Sequence, residues 1–342
     1  PPPPVVARRA PPPHQEPPGD AAAMGEIIVT SQRRAERLQD VPISVQALDR
    51  GGMDVRGVRA VDEIARLTPG VTFNRGSNYN SESSEIAIRG IGSAAGAATT
   101  GVYIDDTPIQ SRHLSFGTFN TYPALFDIER IEVLRGPQGT LFGAGSEGGT
   151  LRFITPEASL RHDSLYVRAE LAGTERGAPS AELGAGLGMA WLPGRLGVRL
   201  SVSQRLDGGY VDRVDWHARA TRADSNAATT RTARLALKWA PGDALEVNPS
   251  ILVQDRRVDD TAAYWARVPG SADPSGGQFD LTLRNGNAIA NPSRDRFVLW
   301  AVRLNADLGA SRLISNTSYF ERRQTAITDY AEYNRAVFLG NP

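Results

Sequence analysis

The chain has 342 residues, enough for two domains, and its 38 basic and 38 acidic residues cancel. This balance argues against a nucleic-acid-binding surface, and the absence of cysteine excludes disulfides, thiolate metal sites and cysteine nucleophiles. The four histidines are far apart in the sequence, so we expect neither a metal centre nor a cofactor. No apolar run reaches the roughly 18 residues of a transmembrane helix, which leaves alternating barrel strands of about 10 residues open.

Residues 1–24 are dominated by proline and cannot bury a core, so we expect a disordered, extended tether. A cloning or gene-prediction artefact is the alternative for this stretch. The chain starts without methionine and shows no charged-then-apolar segment. We therefore expect either a removed signal peptide or a missing N-terminal piece.

Residues 25–156 predict a small mixed α+β domain. After an apolar run at Pro42–Leu48, Gly51 and Gly52 are interpreted as a break. Apolar side chains at helical spacing predict a helix over Val58–Leu67, ended by a Thr-Pro-Gly turn. Glycine-rich turns separate the short strand-like runs, which are 26–30, 86–88, 102–104 and 130–134.

After Pro156 the pattern changes to long segments in which apolar and polar residues alternate, as in strands with two different faces. Seven such segments are predicted: 165–171, 180–191, 195–206, 231–239, 244–255, 297–308 and 312–323. The alternation predicts that one set of apolar side chains shares an outer, lipid-facing side. Members of this set are Leu165, Val167, Leu200, Leu237 and Trp300.

The connections between these segments alternate in length. Tight turns at 192–195, 240–243 and 308–311 are separated by long polar stretches at about 207–230 and 257–295. Short turns on one side and long loops on the other are typical of an outer-membrane β-barrel. A soluble β-sandwich is the alternative, because it also buries alternating faces, but its loops need not alternate in this way.

Several short motifs suggest enzyme sites only weakly. Gly143, Gly145 and Gly148 match the spacing of a dinucleotide-binding loop, but no clear helix follows them and no acidic partner stands about 20 residues on. Asp105 and Asp106 are adjacent, so in a strand they would point to opposite faces and would be poorly placed as an acid–base pair, which favours a role as turn residues. We therefore expect that the protein is not an enzyme.

Four segments resemble the plug domain of TonB-dependent outer-membrane receptors, in the order of that family. The first, Glu26, Ile27, Ile28, Val29, Thr30 and Ser31, resembles the Ton box. The others are 86–92 (IAIRGIG), 101–109 (GVYIDDTPI) and 126–143 (FDIERIEVLRGPQGTLFG), the last continuing through 148–155 (GGTLRFIT). Two positions depart from the usual pattern: Ala144-Gly145 replaces a polar pair, and Asp106 replaces a glycine. Both changes could alter plug loops that touch substrate.

The resemblance implies the architecture: an α+β plug over 25–156, followed over 157–342 by the N-terminal part of an antiparallel transmembrane β-barrel. It also implies a location in the outer membrane of a Gram-negative bacterium, in contact with its lipid. TonB, from the inner-membrane complex with ExbB and ExbD, would bind residues 26–31. A short apolar strand on a flexible tether suits such a partner, because it can add to a sheet edge. The alternative is that residues 26–30 are only the first strand of the plug.

The implied function is active uptake of a scarce ligand, such as a ferric siderophore, cobalamin, haem or a glycan. An uncoupled outer-membrane channel or adhesin is the alternative, and a soluble nucleotide-binding oxidoreductase is a remote one. In the family, arginines matching Arg89 and Arg135 are drawn to acidic residues on later barrel strands. About seven strands of about 22 are present, so we expect an open sheet beside the plug and further strands in the full gene.

Overall fold

The computed structural model describes residues 28–30, 36–75, 84–93, 97–110, 122–214, 220–264 and 283–331. No helix in these ranges is long and apolar enough to cross a membrane. The predicted tether, residues 1–24, lies outside the described residues. Two sheets dominate the structure: a mixed sheet of five strands in the first part of the chain and an antiparallel sheet of seven strands in the second.

The first part contains short strands, a 3-10 turn at Leu38–Asp40 and three short helices. The bounds are β1 (Ile28–Val29), β2 (Glu36–Arg37), β3 (Val45–Asp49), α1 (Arg50–Val55), α2 (Val61–Leu67), β4 (Val71–Arg75), β5 (Ser84–Ile88), β6 (Thr100–Ile104), β7 (Thr107–Pro108), β8 (Arg130–Arg135), α3 (Gly139–Phe142) and β9 (Gly149–Ile154). The five-stranded sheet has the order β3-β8-β9-β6-β7, and only β6 and β9 are parallel. β1 pairs with β2, and β4 pairs with β5.

The two faces of the five-stranded sheet differ in chemistry. One face carries buried apolar side chains, such as Ile131 and Phe153, which belong to the same core cluster as Ile64 of α2. On the other face Glu132 of β8 lies directly opposite Arg152 of β9, and both are buried. Burying two charges requires that they be paired. The remaining hydrogen-bonding atoms of Glu132 and Arg152 must therefore find partners on neighbouring parts of the protein.

The helix predicted over Val58–Leu67 is confirmed over Val61–Leu67, so it begins three residues later than predicted. The carboxylate of Glu63 accepts hydrogen bonds from the main-chain nitrogens of Arg59 (2.5 Å) and Ala60 (3.0 Å), which fixes the helix start. The interpretation of Gly51 and Gly52 as a break is wrong, because both lie inside α1. The Asp49 carboxylate caps α1 by accepting from the Gly52 nitrogen at 3.2 Å.

The second part of the chain forms the large antiparallel sheet. Its strands are β10 (Ser164–Ala172), β11 (Ser180–Leu192), β12 (Leu196–Asp207), β15 (Ala228–Gly242), β16 (Leu245–Val258), β18 (Ser293–Asp307) and β19 (Arg312–Ala326), in that order across the sheet. All seven predicted strands are confirmed, and most extend several residues beyond their predicted ends. The outer edges of β10 and β19 are not joined to each other, so this sheet is open as predicted.

The predicted sidedness of the strands is also confirmed. We call the part of the chain up to β9 the first domain. The side of the large sheet that faces away from it exposes Leu165, Val167, Leu200 and Trp300, and Leu237 on the same side is half-buried. Register pairing builds one apolar row across all seven strands, formed by Leu165, Leu187, Leu200, Leu235, Ile251, Trp300 and Tyr319. We call this the outer row.

The predicted alternation of connection lengths is confirmed, but the long connections are not wholly irregular. They contain β13 (Asp212–Val214), β14 (Ala220–Arg222) and β17 (Arg284–Asn285), which form a three-stranded sheet. β13 and β17 come from different connections and pair in parallel. The two longest loops are therefore joined at one end of the large sheet.

Candidate functional site

The N-terminal strand β1 lies against the polar face of the five-stranded sheet. Ile28 and Val29 pair with Arg37 and Glu36, and the side chain of Val29 is fully buried while that of Ile28 is 37% exposed. Of the six residues predicted to bind TonB, the structure describes Ile28, Val29 and Thr30. Glu26, Ile27 and Ser31 lie outside the described residues.

Thr30 makes the contacts that join this segment to the sheet. Its main-chain nitrogen donates to Glu132 Oε1 at 2.9 Å. Its hydroxyl accepts from Arg152 at 3.0 Å and from Arg130 at 3.3 Å, and donates weakly to Glu132 at 3.4 Å. Thr30 thus bonds to three charged side chains of β8 and β9 at once.

The charged side chains beneath Thr30 are themselves firmly held. Arg152 pairs with Glu132 at 2.5 Å, and Arg130 reaches the same carboxylate at 2.9 Å. The second terminal nitrogen of Arg152 donates to the Asp105 carbonyl oxygen and to an Asp106 carboxylate oxygen, both at 3.3 Å. The guanidinium also lies over the Phe142 ring, 5.5 Å from its centroid.

The turn between β6 and β7 extends this hydrogen-bond network to Thr155, which follows β9. The Asp105 carboxylate accepts from the nitrogen and the hydroxyl of Thr155, both at 2.8 Å. Withdrawal from water raises the pKa of the Asp105 carboxyl, which the positive charge of Arg234 opposes only in part. Asp105 and Asp106 lie in a turn, and their carboxylates accept from different partners, Thr155 and Arg152.

A second group of contacts joins the first domain to the inner side of the large sheet. Arg199 of β12 binds the Asp127 carboxylate through two nitrogens, at 2.9 and 2.5 Å. Arg168 of β10 donates to the Leu125 carbonyl oxygen at 2.8 Å. These contacts hold the segment that precedes β8 against the inner side of the seven-stranded sheet. We call this sheet the wall.

Three basic side chains of the wall hold the chain where it leaves the first domain. Arg234 donates to the Pro156 carbonyl oxygen at 3.0 Å. Lys238 and Arg303 contact the Glu157 carboxylate at 3.0 and 3.4 Å. The inner wall therefore presents cations to carboxylates and carbonyl oxygens of the first domain.

The predicted contact residues Arg89 and Arg135 lie elsewhere. Arg135 donates to the Pro69 carbonyl oxygen at 3.1 Å, and the Arg89 side chain lies close to Gly136. Within the described ranges, no hydrogen bond or ion pair joins either arginine to the seven-stranded sheet. Their contact with later barrel strands stays a prediction.

The geometry of residues 143–148 contradicts the dinucleotide-loop reading. The glycines follow helix α3 and lead into strand β9, whereas a dinucleotide loop joins a strand to a following helix. Gly143 and Gly145 have φ values of 68° and 85°, so they form a turn that side-chain-bearing residues would adopt with strain. The soluble oxidoreductase is therefore not supported by this segment.

A sequence model of the TonB-dependent Receptor Plug Domain matches residues 37–150. This chain carries the plug domain of a TonB-dependent receptor. The pesticin receptor of Yersinia pestis is 31% identical over 134 residues, which cover 38% of this chain and 19% of that protein. The ferripyoverdine receptor of Pseudomonas aeruginosa is 30% identical over 127 residues, which cover 37% of this chain and 14% of that protein.

Solved structures extend the similarity of the plug-bearing chain beyond the plug. The ferric yersiniabactin uptake receptor from Yersinia pestis superposes with a TM-score of 0.65 at 20% identity, covering 84% of this chain and 42% of that structure. A pyoverdine-bound receptor from Pseudomonas aeruginosa gives 0.62 at 18% identity, covering 85% and 36%. The chain thus spans less than half of these relatives. Its seven strands resemble the start of a TonB-dependent receptor barrel, and its location is the Gram-negative outer membrane.

The sequence interpretation missed the residues that carry the contacts of the plug. Asp127, Glu132 and Arg152 lie within the plug-like motifs 126–143 and 148–155, but the sequence alone assigned them no role. The signal was present, because charged residues interrupt strands β8 and β9 whose other residues are apolar or small. Arg199 was not singled out, since no spacing rule in the sequence indicates its partner on another domain.

Proposed function

We propose that this protein takes part in TonB-dependent uptake of a scarce ligand across the outer membrane, with energy delivered through residues 26–31. The observation that carries the proposal is the seating of Thr30 on the plug. Within this segment the structure describes Ile28–Val29 as a short apolar strand paired with β2, so a partner that adds a strand by main-chain hydrogen bonds could pull on it. The proposed partner is TonB, working with ExbB and ExbD.

The ligand class we propose is a ferric siderophore. Support comes from two relatives that are named as receptors for ferripyoverdine and ferric enterobactin. Cobalamin, haem and glycans are the competing classes. The proposed environment of the outer row is outer-membrane lipid, because large apolar side chains facing water across seven strands would favour aggregation.

The coupling is tested by Ile28→Pro in the receptor expressed in a Gram-negative host. Proline removes a main-chain donor and resists strand pairing, so energised uptake of an iron-55-labelled siderophore should be lost while surface binding persists. Ile28→Val, which keeps both the donor and the strand preference, is the matched control. Unchanged uptake in Ile28→Pro, insensitive to a protonophore, would favour an uncoupled channel.

The ligand class is tested with the same host and a panel of ligands. Iron-limited growth should be restored by at least one ferric siderophore and not by haem supplied in its place, and radiolabelled cobalamin should not be taken up. Rescue by haem alone would reject the siderophore class without affecting the coupling proposal.

A further inference from the structure

We infer that the buried Glu132–Arg152 pair is a latch for Thr30, and that it holds the segment which includes residues 28–30 on the plug until the segment is withdrawn. The inference rests on the proposed function in one respect only: the latched segment is the one proposed to bind TonB. The latch itself is a property of the plug and can be tested without TonB. Thr30 is its mobile half, and Glu132 with Arg152 is its fixed half.

The fixed half keeps its geometry without Thr30. Arg152 is 2% exposed and Glu132 is fully buried, and they lie opposite each other in register on β9 and β8. Arg130 gives Glu132 a second cation, while Asp105 and Asp106 accept from the far side of Arg152. Neither charge would lose its counter-charge if Thr30 left, so the site would remain formed for the segment to return.

The mobile half fits this site in hydrogen-bond chemistry. The Glu132 carboxylate can only accept, and it takes the main-chain N–H of Thr30. The two guanidinium groups can only donate, and both donate to the Thr30 hydroxyl. Serine could make the same contacts, whereas valine, which has the shape of threonine, could make only the one from its main chain.

The chemistry of the site explains why the segment could leave without unfolding the plug. Among Ile28, Val29 and Thr30, only Val29 buries an apolar side chain completely. The surface beneath Thr30 is charged, and water solvates charged groups well once the segment has left. Release would therefore expose little apolar surface, in contrast to the removal of any strand of the five-stranded sheet.

The experiment uses the lack of cysteine in the chain. In receptor reconstituted into liposomes, with any cysteine outside these 342 residues replaced, Val29→Cys supplies a single buried thiol whose reaction with a maleimide reports undocking of the segment. Hydrogen bonds to charged groups each shift an equilibrium by about 10-fold or more, so adding Thr30→Val should raise the labelling rate by about 10-fold or more. Thr30→Ser should leave the rate near that of the parent.

Thr68→Val is the matched control. Thr68 is also a buried plug threonine, but its hydroxyl has no hydrogen-bond partner among the described residues. A spin label on Ile28→Cys, which leaves Val29 intact, provides a second readout and should become more mobile only with Thr30→Val. Equal rates for Thr30→Val and Thr68→Val, or a Val29→Cys thiol that already reacts as in urea, would overturn the latch.

Failure of the latch and failure of the proposed function give different results. If Thr30→Val changes neither labelling nor spin mobility while Ile28→Pro abolishes uptake, the latch is wrong and the coupling proposal stands. If Thr30→Val releases the segment while uptake ignores Ile28→Pro, the latch is right and residues 26–31 are not the coupling segment.

Discussion

Arg199 of the wall and Asp127 of the plug form a buried, two-point ion pair. The nitrogen–oxygen distances are 2.9 and 2.5 Å, and Arg50 approaches the same carboxylate at 3.2 Å. Here the plug supplies the acid and the wall supplies the arginine. This polarity is opposite to the one that the family resemblance implies for Arg89 and Arg135. The first strands and the later strands of a barrel could therefore hold one plug through contacts of opposite sign.

The Asp127→Asn substitution should lower the free energy of unfolding of the plug. It leaves Arg199 buried without its counter-charge, which typically costs about 3–5 kcal/mol. Asp127 has a φ of 51°, and asparagine tolerates this left-handed conformation as well as aspartate does. The change therefore isolates the charge. Urea unfolding of the inserted receptor, followed by a dye on Thr72→Cys in the plug, measures the loss.

Asp62→Asn is the control for the same substitution at a helix pair whose arginine is exposed to solvent. Asp62 and Arg66 are four residues apart on α2 with nitrogen and oxygen 3.5 Å apart. Such surface helix pairs contribute about 0.3–0.5 kcal/mol. Equal losses in Asp127→Asn and Asp62→Asn would mean that the Asp127–Arg199 pair does not hold the plug to the wall.

The glycines of β11 provide the space in which Phe126 and Asp127 approach the wall. Gly184 and Gly186 lie on the inner side, and a methyl group added at Gly184 would overlap the Phe126 ring. Gly184→Ala should therefore cost about 1–3 kcal/mol of plug stability, the usual range for overpacking. Ala185→Val, on the outer side of the same strand, should cost little. The same urea assay decides, and equal effects would reject the assigned close approach.

The fold was largely predictable because its signals are local and periodic. The alternation of apolar and polar residues located all seven wall strands, and helical spacing located α2. Helix α1 was missed because Gly51 and Gly52 weaken helix propensity, while Asp49 caps the helix and Met53 is buried in the core. At this position the Asp49 cap and the burial of Met53 outweigh the low helix propensity of the two glycines.

The contacts of the site were less predictable than the fold because they join residues distant in sequence. Thr30 meets Arg152 across 122 positions, and Asp127 meets Arg199 across 72. Periodicity gives the face on which a residue lies but not its partner on another element. The sequence of β11 is rich in glycine and alanine, but only the position of Phe126 explains why the glycines are on the inner side.

The buried carboxyl of Asp105 makes the stability of the plug depend on pH. Loss of hydration raises the pKa of the Asp105 carboxyl above its ordinary value of 3.8. A raised pKa means that the folded state binds the proton more tightly than the unfolded state does. The contribution of Asp105 to stability is therefore fully present below about pH 3.9 and is lost as the pH rises through the raised value.

Asp105→Asn should flatten this part of the pH profile. Asparagine stays uncharged at every pH, and its side-chain oxygen can still accept from the Thr155 nitrogen, as Asp105 does at 2.8 Å. The free energy of plug unfolding, measured in urea between pH 4 and pH 8, should fall less steeply with rising pH than in the parent. Asp40→Asn, at an exposed acid, controls for the substitution itself. A profile in Asp105→Asn as steep as that of the parent would contradict the prediction.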